Sequence, residues 1–254
     1  SRRRHTRLPT RSRGLGDVYK RQGLGRVGVG SLEETLRLAA EANETGGISY
    51  RGLLFYPGHI RVPYGSQGPM MQALANRLMR YLSALRQAGL TPEIVSGGST
   101  PTLFRSHQIE GLTEVRAGTG IFNDRTTALL DACAWTDCAY SVLTTVVSTS
   151  LPGQAVVDAG SKALAKEEVR ANLEEPGAAA GFGCVLDEPS LRITALSEEH
   201  AVIDIRGSSW RPSTGDLVRI VPNHACVSVN LHENLWQVQG DRVLGRWEVE
   251  ARGR

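Results

Sequence analysis

The sequence predicts an α/β unit followed by a mostly antiparallel β domain. In the first part, short apolar strands alternate with amphipathic helical stretches, a pattern typical of parallel βα units. After about Tyr140 the helical spacing gives way to short β-rich runs separated by turn residues. We therefore assign residues 23–140 to the α/β unit and residues 141–254 to the β domain.

Within the α/β unit, two helices carry clear signals. Ser31 followed by Glu34 predicts a capping box at the start of one helix. A longer helix is predicted to end at Gly89, and its apolar residues recur at helical spacing: Met71, Leu74, Leu78, Leu82 and Leu85. A complete (β/α)8 barrel needs about 200 to 250 residues, whereas this unit has room for about four or five βα repeats. It is therefore either a small open sheet or a partial barrel whose first strands are missing, and the unusual arginine-rich N-terminal stretch favours the partial barrel.

In the β domain, strands are predicted wherever β-branched and apolar residues lie between turn signals. These runs are 142–149, 154–158, 192–196, 201–205, 217–221, 227–230, 236–239 and 242–248.

Composition excludes several classes of protein. The 254 residues are 41% hydrophobic and lack an apolar run of membrane-spanning length, so no membrane partner is expected. Four cysteines without paired CxxC spacing are too few for a disulfide framework, which favours a reducing cytoplasm. The net charge of +3 comes from the arginine-rich residues 1–22, and the remaining chain is acidic. We interpret residues 1–22 as a non-native tail and expect no nucleic-acid partner.

Two glycine- and hydroxyl-containing loops follow predicted strands. One is Ser96-Gly97-Gly98-Ser99-Thr100, and the other is Ala117-Gly118-Thr119-Gly120. Such loops present backbone N–H groups and hydroxyls to an anion, and ligands bind at the carboxyl ends of parallel strands. The pair predicts phosphate binding, although each loop alone could be an ordinary βα turn.

His224-Ala225-Cys226 is the sharpest candidate for a metal site. In a strand, alternate side chains point to the same face, so His224 and Cys226 are expected to converge. Imidazole and thiolate are good zinc ligands. A buried cysteine beside a hydrogen-bonded histidine is the structural alternative. His59, at the end of an earlier strand, is a weaker candidate catalytic residue that could contact a substrate.

Seven motifs in order resemble the D-threonine aldolase and D-serine dehydratase family, over about residues 23–254. They lie at 25–29, 56–59, 96–102, 114–124, 156–162, 199–200 and 215–226. The resemblance implies the alanine-racemase-like fold, with a pyridoxal-phosphate barrel and a β domain, and a homodimer in the full-length protein. It also implies phosphate binding by Gly97, Gly98, Ser99, Thr100, Gly118 and Thr119, and a divalent metal on His224 and Cys226.

By resemblance, the metal is zinc or, alternatively, manganese, and the substrate is a D-3-hydroxy amino acid such as D-serine. Family dehydratases pair histidine with cysteine, whereas aldolases pair it with aspartate, so Cys226 favours loss of water over retro-aldol cleavage. The family places its Schiff-base lysine near the start of the barrel, but Lys162 and Lys166, outside the tail, lie in the β domain. The chain is therefore expected to be N-terminally truncated and inactive alone. A non-catalytic pyridoxal-phosphate-binding protein is the alternative from another class.

Overall fold

The computed structural model describes residues 28–169, 171–250 and 252, so the tail assigned to residues 1–22 lies outside it. The chain divides into two compact units between Gly118 and Thr119 rather than near Tyr140. The reason lies in residues 119–140, which bond to the second unit: Arg125 and Thr126 both donate hydrogen bonds to Asn223.

The first unit is a small parallel sheet with two long helices. Helix α1 spans Leu32–Glu44, strand β1 Gly52–Leu54, helix α2 Gly68–Gln87, strand β2 Ile94–Gly97 and strand β3 Glu114–Val115. Short 3₁₀ helices occupy Tyr64–Ser66 and Thr100–Gln108. The strands lie in the order β1-β2-β3, and both pairs are parallel. This arrangement confirms the predicted βα alternation.

Helix α2 buries the apolar stripe that the sequence predicted. Met71, Leu74, Leu78, Leu82 and Leu85 are all buried in the core of the first unit. That burial stabilises the helix, because an amphipathic face gains most of its free energy from packing.

The predicted capping box of α1 forms with a shift of one residue. The Ser31 side chain accepts a hydrogen bond from the Glu34 N–H, as expected, and Ser31 is the N-cap. The Glu34 carboxylate, however, accepts from the Gly30 N–H at 2.7 Å, one residue before the cap.

The second unit contains a six-stranded antiparallel sheet. Its elements are helices α3 (Arg125–Leu129), α4 (Ser161–Leu164) and α5 (Ala225–Leu231), and strands β4 (Val142–Ser148), β5 (Gln154–Val157), β6 (Gly183–Val185), β7 (Ile193–Leu196), β8 (Ala201–Asp204), β9 (Leu217–Pro222), β10 (Asn234–Gln239) and β11 (Arg242–Glu248). The 3₁₀ helices are Thr119–Ile121, Trp135–Asp137 and Pro176–Ala179. The sheet order is β6-β9-β4-β5-β8-β7, while β10 and β11 form a separate hairpin.

Two features of this unit differ from the sequence prediction. Strand β6 was not predicted, and the strand predicted at residues 227–230 is wrong because these residues lie in α5. Ala225 and Ser228, one helical turn apart, are both buried. The Ser228 hydroxyl donates to the Ala163 carbonyl at 2.6 Å and lies 2.9 Å from the Tyr140 hydroxyl. These buried hydrogen bonds override the strand preference of the valines.

In the part of the chain that the structure describes, no helix combines the length and apolar character needed to cross a membrane.

Candidate functional site

His224 and Cys226 lie at the turn where a strand passes into a helix. Strand β9 ends at Pro222, His224 is the extended N-cap residue of α5 with φ −142° and ψ 107°, and Cys226 lies in the first helical turn. The expectation that both residues lie in one strand is therefore wrong. The strand-to-helix turn still brings the two side chains close enough for each to shift the pKa of the other.

A buried carboxylate from another element holds this turn. Asp124, only 1% exposed, is the N-cap of α3, and its Oδ1 accepts from the Thr127 N–H at 2.8 Å. Its Oδ2 lies 3.1 Å from His224 Nδ1 and accepts from the Ala225 N–H at 3.0 Å. Sequence reasoning did not single out Asp124, because an N-cap aspartate signals only the start of a helix.

Arg125 and Asn223, which are adjacent in sequence to Asp124 and His224, also form a hydrogen bond. Arg125 is 3% exposed, and its Nη1 donates to Asn223 Oδ1 at 2.9 Å. Its Nη2 donates to the carbonyls of Ala178 and Ala180. Two consecutive side chains at the start of α3 thus bind two consecutive residues before α5, and this fixes the turn that carries His224.

The pKa values of His224 and Cys226 shift in opposite directions. Hydrogen bonding to Asp124, followed by that to Cys226, raises the pKa of His224 to about 10. The hydrogen bond from His224 lowers the pKa of the Cys226 thiol, and the Thr119 hydroxyl, 3.5 Å from Sγ, acts in the same direction. His224 and Cys226 thus shift each other's pKa toward imidazolium and thiolate, and a divalent cation that bound both side chains would displace protons from them.

This donor set fits a metal ion with open coordination positions. Sulfur and imidazole nitrogen converge at an exposed cysteine, and this combination suits zinc. Among the described residues, no group of three or more His, Cys, Asp or Glu side chains is placed to hold a metal. A structural zinc site takes four protein ligands, whereas a catalytic site leaves room for water or substrate. Two protein ligands are too few for a structural site, and they are one fewer than the three that catalytic zinc sites usually have.

The loop at residues 96–102 in the first unit is tightly constrained by its own fold. A Cβ at Gly97 would lie 2.2 Å from the Phe55 ring, and Gly98 has φ +91°, so both glycines have a structural cause. Ser99 Oγ lies 3.1 Å from Thr102 Oγ1, which also accepts from the Ser99 N–H at 3.2 Å. The chain turns here from β2 into a 3₁₀ helix whose first turn supplies N–H donors.

The second predicted loop is more open. A Cβ at Gly118 would meet no atom within 4 Å, so the fold itself does not require glycine there. Gly118 ends the first unit, and Thr119 begins the second unit beside Cys226. These donors suit a phosphate chemically, and phosphate binding by the two loops stays a prediction.

His59 and Lys162 complete the candidates. His59 is half-buried in a turn after β1, in the first unit. Lys162 is exposed in the second unit, with its Nζ 2.6 Å from Glu199 Oε1 and 3.4 Å from Glu198 Oε2. The hydrogen bond to Glu199 raises the pKa of Lys162, which keeps its amine protonated and disfavours it as a nucleophile.

Two family models match the chain in tandem. The model described as "Alanine racemase, N-terminal domain" matches residues 21–126. The model described as "Putative serine dehydratase domain" matches residues 139–238. Between them they match most of each compact unit.

Two curated relatives match most of the chain. It is 31% identical to a D-threonine aldolase of Arthrobacter sp over 239 residues, 91% of this chain and 59% of the relative. It is 32% identical to the D-threo-3-hydroxyaspartate dehydratase of Delftia sp. (strain HT23) over 241 residues, 88% of this chain and 62% of the relative. The chain thus spans about six-tenths of the length of these relatives.

Solved structures of an aldolase and of a dehydratase superpose on most of this chain. A D-threonine aldolase from Filomicrobium marinum superposes with a TM-score of 0.75 at 28% identity, covering 91% of this chain and 61% of that one. The Delftia dehydratase has been solved as a cysteine-to-alanine variant in a metal-free form, with a TM-score of 0.74 at 30% identity and coverage of 90% and 63%. It has also been solved as a variant at a histidine two residues earlier.

Proposed function

Because this chain belongs to the D-threonine aldolase and D-serine dehydratase family, we propose that it carries the cofactor and metal sites of a pyridoxal-phosphate-dependent lyase. Its substrate is a D-3-hydroxy amino acid such as D-serine. The observation that carries this proposal is the convergence of His224 and Cys226 at an exposed turn. The metal-free cysteine variant of the Delftia dehydratase, with its histidine variant two residues earlier, has the same spacing and supports it.

When bound, pyridoxal phosphate supplies an electron sink next to Cα and a divalent cation supplies a Lewis acid for the 3-hydroxyl. His224 and Cys226 would hold the cation, and exposed Cys226 leaves its open side accessible to substrate. The two glycine loops would orient the cofactor through its phosphate. The phosphate contacts would come from Gly97, Gly98, Ser99, Thr100, Gly118 and Thr119.

The thiolate favours dehydration over retro-aldol cleavage. By resemblance, the dehydratase branch pairs histidine with cysteine, as in this chain. Retro-aldol cleavage is the second candidate, because the Arthrobacter aldolase is nearly as similar, at 31% identity, as the Delftia dehydratase, at 32%. A non-catalytic pyridoxal-phosphate-binding protein would have no use for the His224–Cys226 pair.

We test the metal site by zinc binding to the 254-residue chain, measured by competition with a chromogenic chelator. The proposal predicts one zinc per chain, lost in His224→Ala and Cys226→Ala because each removes half of the protein ligands. His200→Ala and Cys133→Ala are matched controls in the same unit and should bind zinc like the wild type. Equal zinc binding in all five proteins would contradict the proposal.

The Cys226→Asp variant tests whether position 226 sets the choice of metal. A carboxylate hardens the site, so the preference should shift from zinc toward manganese, as measured by competition between the two ions. An unchanged preference would show that position 226 does not set the metal.

We propose further that the chain alone does not turn over substrate, because Lys162 and Lys166, the lysines outside residues 1–22, do not match the position expected for the family's Schiff-base lysine. Incubation with pyridoxal phosphate, zinc and D-serine should release no more pyruvate than free cofactor does. Borohydride reduction should give no stoichiometric adduct at Lys162. Pyruvate release, or acetaldehyde from D-threonine, would overturn the lysine assignment and identify the reaction.

A further inference from the structure

The geometry points to Asp124 as the residue that positions His224 for metal binding, an inference that rests on the proposed function. A histidine ligand has two ring nitrogens, and only the nitrogen without a proton can bind a metal. The partner of the other nitrogen therefore decides which one is available. In this chain that partner is a carboxylate from a different element.

Asp124 fixes the choice because an ionised carboxylate only accepts hydrogen bonds. Its Oδ2, 3.1 Å from His224 Nδ1, requires a proton on Nδ1, so Nε2 is the ring nitrogen left for the metal. The same oxygen accepts a hydrogen bond from the Ala225 N–H at 3.0 Å, so it contacts both the His224 ring and the adjacent backbone. Outer carboxylates of this kind orient metal-binding histidines and raise their basicity.

The carboxylate is itself immobilised. Asp124 is 1% exposed, and its Oδ1 accepts from the Thr127 N–H at 2.8 Å and from the Thr127 hydroxyl at 3.0 Å. One oxygen thus caps α3 while the other holds His224. These two tasks use different atoms, so substitutions can separate them.

Asp124→Ser keeps the cap and removes the positioning contact. Serine is as good an N-cap as aspartate, but its shorter side chain cannot cap the helix and also contact His224. Zinc affinity should fall about 10- to 100-fold. In the zinc-loaded variant, long-range ¹H–¹⁵N correlations should show zinc on both ring nitrogens, whereas in the wild type zinc binds only Nε2.

Thr127→Val is the reverse control. It removes the capping hydroxyl, so the melting temperature should fall, but the Asp124–His224 contact remains and zinc affinity should stay within about twofold. Asp124→Asn is a second test that is nearly isosteric and keeps a capping side chain. Its amide lacks the charge that supports the imidazole, so its zinc affinity should also fall.

Unchanged zinc affinity in Asp124→Ser or Asp124→Asn, or an equal loss in Thr127→Val, would overturn the positioning role. Failure of the proposed function looks different, because His224→Ala and Cys226→Ala would then leave zinc binding intact. If those two variants lose zinc and the Asp124 variants do not, only the inference about Asp124 fails.

Discussion

The loop at residues 96–102 and the turn at residues 223–226 both end a strand and both carry residues that suit a ligand. In the loop, Phe55 packing and a positive φ account for the glycines, and Ser99 bonds Thr102. In the turn, the fold explains Asn223 by its bond to Arg125, but it gives no packing reason for exposed Cys226 beside His224. A residue pattern that the fold does not require is the stronger evidence for a site.

The largest expected effect is in thiol reactivity. Cys226 is exposed and its pKa is lowered, mainly by its hydrogen bond with His224, whereas burial raises the pKa of Cys138 to about 12. Because the thiolate reacts, iodoacetamide should modify Cys226 more than about a hundredfold faster than Cys138. Mass spectrometry of timed digests measures this, and zinc should protect Cys226. Equal rates at the two cysteines would contradict the contrast.

The next prediction tests whether packing against Phe55 requires a glycine at position 97. Gly97→Ala forces a Cβ against the Phe55 ring and should lower the free energy of unfolding by about 1 to 3 kcal/mol or more. Gly118→Ala meets open space and should change it by less than about 0.5 kcal/mol. Urea unfolding followed by the helical circular dichroism signal measures both. If Gly97→Ala were neutral, the packing explanation would be wrong.

A third test concerns the helix that follows the turn. Ser228→Ala removes the hydroxyl that bonds Ala163 and Tyr140, so it should cost about 1 to 3 kcal/mol, since the partners are buried. All four tryptophans lie after residue 118, so urea unfolding followed by tryptophan fluorescence reports on this unit. Ser150→Ala, at an exposed position, is the matched control. A neutral Ser228→Ala would indicate that residues 227–230 do not depend on these bonds.

The sequence predicted the main elements where one signal dominated. Helix α2 formed because its apolar stripe is long and regular, and most strands of the second unit formed where turn residues bounded β-branched runs. The Val227–Asn230 segment could not be predicted, because its state depends on Ser228 bonding to residues 65 and 88 positions away in sequence. Asp124 was missed for the same reason, since His224 lies 100 residues further on.

The smallest expected effect concerns a surface ion pair, that of Asp204 and Arg206. Hydrogen bonds from Arg206 lower the pKa of Asp204 to about 2 from 3.8. A lowered folded-state pKa stabilises the fold above about pH 4, and this contribution is lost as the pH falls from about 4 through the folded-state pKa of about 2. Asp204→Asn should therefore lower the melting temperature by no more than about 2 °C at pH 7, and most of this difference should be gone at pH 2. A larger shift at pH 7, or a shift of undiminished size at pH 2, would contradict this assignment.

Cobalt substitution tests the central claim, that His224 and Cys226 hold one metal ion. Cobalt bound to a thiolate absorbs in the near ultraviolet through sulfur-to-metal charge transfer, a signal that nitrogen and oxygen ligands do not give. The cobalt-loaded wild-type chain should show this band at one equivalent, and Cys133→Ala should retain it. Cys226→Ala should lose the band entirely, and so should His224→Ala, because each variant removes half of the protein ligands. Absence of the band in the wild type, or its persistence in Cys226→Ala, would contradict the account.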